Sequence, residues 1–507
     1  MPSLLVGQVF AISRKRAAVC CPLFLLLLPL VGLAQSSDFR YDVPLQRAHE
    51  ALLQLRLDEA CRQLAGLRAQ QPSNGMVLWL ENYADVAVLL TREEHHEYER
   101  RKPHEAARLK ALAQLDARSP YYLFTQAEVK LQWAIVHYRF GENWAAARGI
   151  WQAWQWLKEN DRKFPDFALH QKSLGVLHVL LGSIPEKYDW MMALLGLRGD
   201  VQEGMARLVR AAETTGPTQT EAAFLRALLQ HYVLRQDQAA LQALDSLRQR
   251  HPDNELIDFF YLNSLLKSSQ NEKALALYRP ERFDSTYLPL PFYPYLRGEM
   301  LLYRGDYDAA ATQLAQFVGS YTGHNHLKDG YYKLFLAYWL SHQETAAQAA
   351  LAHIKNMGTT LTDADRYALR FAEDQPLPHR ALLRARLFSD GGYYEEAQAT
   401  LRTKRADDFK NLRDQTEFYY RQGRIYQLQG KSAEALQLYA QTIRTGGEHP
   451  WYYAPNAALQ SGYLLLARGE LEGAQQSFRQ ALSFPDHPYK DSIDNKARAA
   501  LQQLRHR

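Results

Sequence analysis

Apolar side chains recur along this chain three and four residues apart, with polar residues between them. That spacing predicts amphipathic helices from about residue 40 to the carboxyl end. A longer period is superimposed. Eight alanines head the same short pattern: Ala60, Ala240, Ala274, Ala310, Ala347, Ala397, Ala435 and Ala474. Four residues after each stands a large side chain: Leu64, Leu244, Tyr278, Leu314, Leu351, Leu401, Tyr439 and Phe478. Twelve residues before each stands a small or apolar one: Ala48, Leu228, Leu262, Gly298, Phe335, Ala385, Gly423 and Gly462. From Ala240 onward the steps are 34, 36, 37, 50, 38 and 39 residues.

The residue types suit pairs of antiparallel helices. Two helices approach closely only where side chains are small, so Gly423 and Ala435 are expected to mark a crossing, with Tyr439 filling the gap to the next helix. Gly305, Gly392, Gly430 and Gly469 fall between the two helices of a pair, where a helix end favours a residue tolerant of positive φ. Pro72 and Pro252 stop two second helices.

This pattern resembles the tetratricopeptide repeat superfamily. The resemblance rests on "GEMLLYRGDYDAAATQLAQF" (298–317), "GRIYQLQGKSAEALQLY" (423–439) and "GYLLLARGELEGAQQSFRQA" (462–481). It covers about 220–485, with one further unit at 45–72. It implies an all-α, TPR-like α-solenoid of antiparallel helix pairs, with an irregular helical amino-terminal third. Most steps exceed 34 residues, so an even superhelix is not expected. The 50-residue step holds an added segment, Thr362–Asp374, whose Thr362 and Asp365 form a capping-box-like start.

Residues 75–215 read as helical but out of phase. "WAAARGIWQAWQW" (144–156) packs four tryptophans into thirteen residues, and Trp151 and Trp154 are expected in the core. Residues 172–204 hold two apolar runs, Leu174–Ile184 and Trp190–Leu197, each too short to cross a bilayer and joined by a turn at Pro185–Lys187. They read as a buried hairpin plugging the array, or as one that touches a membrane or a partner. Leu174-Gly175, Ile184-Pro185, Gly196 and Gly199, with "RARLFSDGGYYEEA" (384–397), resemble the family of tetratricopeptide repeat protein 39 and the fungal inclusion-body clearance protein. That resemblance implies action through protein contacts and supplies no catalytic residues. The expected division is 1–34, 35–215, and an array over 216–507 closed by a capping helix.

The first 34 residues have their own pattern: Arg14-Lys15-Arg16, an apolar run over Ala17–Val31, then Gly32-Leu33-Ala34. This is the layout of a secretory signal cleaved after Ala34. It implies export, with a periplasm the first expectation and secretion the second. The formal charge of +5 falls to +2 without Arg14, Lys15 and Arg16 (5 − 3), which gives no support for a nucleic-acid partner. Of the three cysteines, Cys20 and Cys21 leave with the signal, and Cys61 is expected as a small core residue.

Chemistry-bearing motifs are sparse. His95, His96 and His104 lack zinc-protease spacing and read as part of a charged face. His324-Asn325-His326 reads as a loop or helix cap. No cofactor, metal or catalytic residue is expected. The first helices should line the concave side, presenting Tyr295, Glu299, Leu302, Tyr332, Trp339, Leu382, Arg386, Tyr420, Arg424, Gln427 and Tyr463. Aromatic and arginine side chains of this kind suit peptide or protein segments, because they combine area with directional hydrogen bonds. The expectation is therefore a non-catalytic scaffold for protein or peptide segments. The alternatives are a carbohydrate-binding component of a cell envelope or an all-α glycosidase.

Overall fold

The structure is a computed structural model that describes residues 38–184, 189–374 and 376–505. The signal at 1–34 and the turn at Pro185–Lys187 lie outside the described residues. Among these residues every regular element is a helix. Most helices stand in antiparallel pairs, such as Tyr293–Arg304 with Tyr307–Ser320 and Leu412–Leu428 with Ser432–Gly446.

The eight alanines are all sealed inside the crossings. A hypothetical Cβ on Gly298 would lie 2.5 Å from Leu314, one on Gly423 2.8 Å from Tyr439, and one on Gly462 2.5 Å from Phe478. The glycine of the first helix therefore seats the large residue of the second, and at Gly298 the Ala310 carbonyl lies 3.4 Å away as well. Two units depart from the expected register. Ala227 takes the crossing in place of half-buried Leu228, and Ala350 with Ile354 takes the core in place of half-buried Leu351.

What sets the register is the turn. The residue five before each alanine has a left-handed backbone: Gly305, Gly392, Gly430 and Gly469, but also Leu55, Arg235, Ser269 and His342. The next N–H then reaches back to a carbonyl of the first helix, as from Asp306 to Leu301 at 3.0 Å and from Tyr393 to Phe388 at 2.8 Å. Half of these positions carry side chains that cost roughly 1–2 kcal/mol each in that conformation.

The same device extends the repeat into the stretch expected to be irregular. Gly141 has φ 81°, and five residues later Ala146 is buried, while a hypothetical Cβ on Gly149 of the same helix would lie 3.1 Å from Ala134 of its partner. The long helices Pro120–Arg139 and Asn143–Lys163 are thus another unit in phase. Two further expectations change here. The helix His170–Gly182 pairs with Val201–Glu213, not with the Trp190–Leu197 run, because Gly175 and Gly204 let the two backbones touch. The intervening segment lies instead on Asn143–Lys163, where the indole N–H groups of Trp151 and Trp154 donate to the carbonyls of Leu195 and Gly196 at 3.1 and 3.0 Å. Packing also continues from Val201–Glu213 to Gln219–Tyr232. Trp154 is buried as expected, whereas Trp144 and Trp151 are exposed, and so is Cys61.

The added segment bends the array back on itself. Thr362 and Asp365 cap the helix Asp363–Asp374 as expected, the Asp365 N–H donating to Thr362 at 3.0 Å. Asp365 also accepts the N–H groups of His326 and Asp329 at 2.8 and 3.1 Å, which ties the inserted helix to the start of Leu327–Leu340. The next helix, Arg380–Gly391, packs on Tyr293–Arg304 and touches Glu255–Lys267 and Leu327–Leu340. The chain therefore covers the inner face of its own middle units. The amino-terminal units flank these from another side: Asn254 donates to the Leu53 carbonyl at 2.9 Å, and Tyr321 and Asn325 donate to buried Glu93 at 3.1 and 2.8 Å. The helix Lys490–Arg505 packs on Leu471–Ser483.

Two substitutions test this packing. Ala435→Trp overfills a sealed crossing and should lower stability by about 1–3 kcal/mol, read as a drop in Tm; an unchanged melt would refute the register there. Gly392→Val would place a Cβ 2.1 Å from the Ser269 carbonyl at φ 91°, whereas Gly430→Ala meets nothing within 4 Å at φ 77°. The first should therefore unfold well below the second and open the 376–380 link to protease. Equal melts would mean that the fold-back contact is absent.

Candidate functional site

A cavity of about 460 Å³ opens where the inserted helix, the Arg380–Gly391 helix and the last units converge. Its walls come from six stretches separated in sequence: Tyr332, Tyr367 to Phe371, Pro376 to Arg386, Arg413 to Arg421, Pro450 to Tyr453, and Pro488 with Tyr489. The fold-back assembles it, because no single helix pair carries more than one wall.

The polar side is held rigidly. Arg421 donates to Glu417 through Nε at 2.9 Å and Nη2 at 2.8 Å, and Nη2 also reaches the Tyr452 hydroxyl at 2.9 Å. The Tyr453 hydroxyl donates to the other Glu417 oxygen at 2.8 Å. Burial alone would raise the Glu417 carboxyl, but Arg421 and Tyr453 outweigh it and hold it below the ordinary carboxylate range. The Arg421 guanidinium also lies over the Tyr420 and Tyr453 rings, 5.3 and 5.9 Å from their centroids.

Opposite, the hydroxyls of Tyr332 and Tyr367 meet at 3.4 Å, and Arg386 has its acid, Asp390, at 3.5 Å. Burial would raise the Tyr367 phenol. The neighbouring Arg386 guanidinium outweighs it, so the phenol sits below the ordinary tyrosine value. Tyr489, at φ 69°, closes the mouth, its ring 6.2 Å from Tyr367 and 5.4 Å from Tyr452. Four arginines and two acids line the cavity (4 − 2 = +2), beside tyrosines, a tryptophan and prolines. This lining suits a segment with acidic and apolar or aromatic groups.

The eleven residues expected on one concave wall separate into several places. Tyr332 and Arg386 line the cavity, and Tyr420 lies buried behind it against Tyr453. Arg424 and Gln427 form a second cluster, both bonded to the Gln460 side chain at 3.1 and 3.0 Å. Tyr463 packs half-buried on Phe478 at 5.3 Å. Trp339 sits at the 378–380 link, its N–H donating to the Pro378 carbonyl at 3.0 Å beneath the Arg380 guanidinium.

The rest are covered by the fold-back. Leu302 and Leu382 are core residues, not surface, because the Arg380–Gly391 helix occupies the groove that Leu302 was expected to line. Glu299 is buried in an ionic cluster with Lys267 at 2.9 Å, Tyr303 at 2.9 Å and Lys333 at 3.7 Å. The Tyr295 hydroxyl accepts from Lys333 at 2.9 Å and donates to Asp329.

Only Tyr332 and Arg386 of the lining belonged to the expected set; Tyr367, Glu417, Arg421 and Tyr489 are among those outside it. Glu417 and Arg421 stand four apart on the helix whose Tyr420 and Arg424 were singled out, so their pairing had a local signal. Tyr367 and Tyr489 had none, because an inserted helix and a loop deliver them. Elsewhere, His326 starts a helix at φ 65° and Asn325 donates to the Arg139 carbonyl at 2.9 Å, so the His324–His326 triplet is a cap and brace. Among the described residues no three His, Cys, Asp or Glu side chains gather as a metal site would require.

The family model described as "Tetratricopeptide repeat" matches residues 221–254 and 417–445, and the chain carries tetratricopeptide repeats there. No curated protein matches the sequence. Solved structures with similar local arrangement include the TPR domain of P58(IPK), at 12% identity over 84% of this chain and 97% of that one, with a TM-score of 0.22. Another is Naa15/Naa10 bound to HypK-THB, at 13% identity over 91% of this chain and 64% of that one, with a TM-score of 0.26. A third is the APC/C hetero-tetramer Cut9-Hcn1, at 12% identity over 90% and 95%, with a TM-score of 0.21.

The Glu417 pair sets a pH test. A carboxyl held below its ordinary value stabilises the fold above the unfolded value, about 4.3, and that contribution is lost as the pH falls through the folded one. Glu417→Gln should therefore cost about 3 kcal/mol at pH 7, with Arg421 left without its carboxylate. The gap to wild type should close below about pH 4 in acid denaturation curves. A gap that stays constant with pH would show that Glu417 does not carry the charge.

Proposed function

We propose that the protein is a non-catalytic helical-repeat scaffold that holds a segment of another polypeptide in the arginine–tyrosine cavity. The cavity carries this reading: a rigid, positively charged pocket, lined by aromatic rings, at the seam between the two parts of the array. Rigid aromatic walls give contact area with little side-chain entropy to lose, and the arginines select for acidic groups. The structure of Naa15/Naa10 is of a complex with HypK-THB, and that of Cut9 is of one with Hcn1, which accords with a binding role for this kind of array. Glu417 does not favour a glycosidase, since both its oxygens are taken by Arg421 and Tyr453.

We place the scaffold outside the cytoplasm, in a periplasm or secreted, on the strength of the Arg14–Ala34 pattern. Kinship with the tetratricopeptide repeat protein 39 family rests on the quoted motifs and belongs to the same proposal. The carbohydrate reading keeps the exposed rings of Trp144 and Trp151 as its support, whereas Trp154 is buried.

A peptide library on the purified protein tests the cavity. Acidic peptides with aromatic or proline residues should bind, more weakly as salt rises. Arg370→Glu with Arg386→Glu should weaken them by at least about tenfold, which corresponds to 1.4 kcal/mol, while the melt stays intact. Equal binding by the folded double variant would remove the cavity from the function.

A further inference from the structure

The helix Asn143–Lys163 has an outer face that packing does not explain. Six of its exposed positions, Trp144, Arg148, Trp151, Gln155, Lys158 and Arg162, are spaced four, three, four, three and four apart. They form a single stripe along about 27 Å of helix. Two tryptophans and three cations stand on it, and no acid does. The acids of the same helix lie off the stripe and are already paired: Glu159 with Lys163 at 2.5 Å, and Asp161 with Arg207 at 3.1 Å.

The segment held against this helix by the Trp151 and Trp154 N–H bonds adds to the same region. It exposes Trp190 (64%) and Leu194 (67%), four residues apart on the short helix Asp189–Leu194, and then Arg198. An isolated surface leucine or tryptophan needs no explanation, but apolar rings set among the exposed cations Arg148, Lys158, Arg162 and Arg198 do.

We infer that this tryptophan–arginine stripe, with the Trp190–Leu194 tip beside it, docks on the surface of an anionic lipid bilayer. Charge complementarity and the chemistry of the exposed groups select that occupant. Indole rings settle at the boundary between headgroups and acyl chains, and cations on the same face meet anionic headgroups. A sugar would stack on the tryptophans but gain nothing from exposed Leu194. A nucleic acid would take the arginines but leave that leucine in water. Among the described residues no helix is long and apolar enough to cross a membrane, so this contact is peripheral. The stripe is separate from the cavity, and neither proposal rests on the other.

Vesicles of phosphatidylcholine alone, and of phosphatidylcholine with phosphatidylglycerol in equal parts, test it with the full chain. Hydroxyl-radical footprinting of the tryptophans reads out which surface meets the lipid, independently of the apolar segment at 17–31. The expected result is protection of Trp144, Trp151 and Trp190 on anionic vesicles and none on neutral ones. Arg148→Gln with Lys158→Gln should weaken partitioning about thirtyfold, from about 1 kcal/mol for each cation lost. Trp190→Ala with Leu194→Ala changes only exposed side chains and should also reduce binding. Three results would overturn the inference: no binding to anionic vesicles, binding that leaves these tryptophans fully reactive, or binding unchanged in both folded variants.

Discussion

The structure depends on one local constraint. Two antiparallel helices must meet at a sealed alanine, and the chain between them must turn through a left-handed residue five positions earlier. That turn fixes which residue of the second helix faces which residue of the first. It is strong enough to impose an unfavourable backbone on Leu55, Arg235, Ser269 and His342. Stability in such an array is a sum over neighbouring pairs, so each turn also sets where the next unit can stack.

The departure from a simple solenoid follows from one insertion. The helix Asp363–Asp374 takes the place where a further pair would stack, and Asp365 fixes it there by capping its neighbour. Its successor is then delivered to the inner face of the middle units. This has two consequences. The groove that a regular array leaves open is filled by the chain itself, and a new cavity arises at the seam, with walls from segments more than a hundred residues apart.

Much of the fold was legible in the sequence, and the limits have physical causes. The alanine register, the glycine turns and the Thr362–Asp365 start are local, and local pattern reports them. The Gly141, Ala146 and Ala134 unit was equally legible; its twenty-residue helices hid it beneath an apparent loss of phase. The site was less legible. Its expected positions were chosen from helix faces, but what covers a face is decided by distant chain. Leu302 and Leu382 became core, and Tyr489 came to close a cavity to which no local pattern assigned it.

The fold-back can be measured directly. Gln238 and Leu428 are both exposed at the surface and line one cavity, although 190 residues separate them (428 − 238). Spin labels at these two positions, with Cys20, Cys21 and Cys61 replaced, would report their separation by pulsed electron resonance. The folded-back array predicts one short, narrow distance. A long distance, spanning several helix layers at about 10 Å each, would describe an open solenoid and contradict both the covered groove and the cavity.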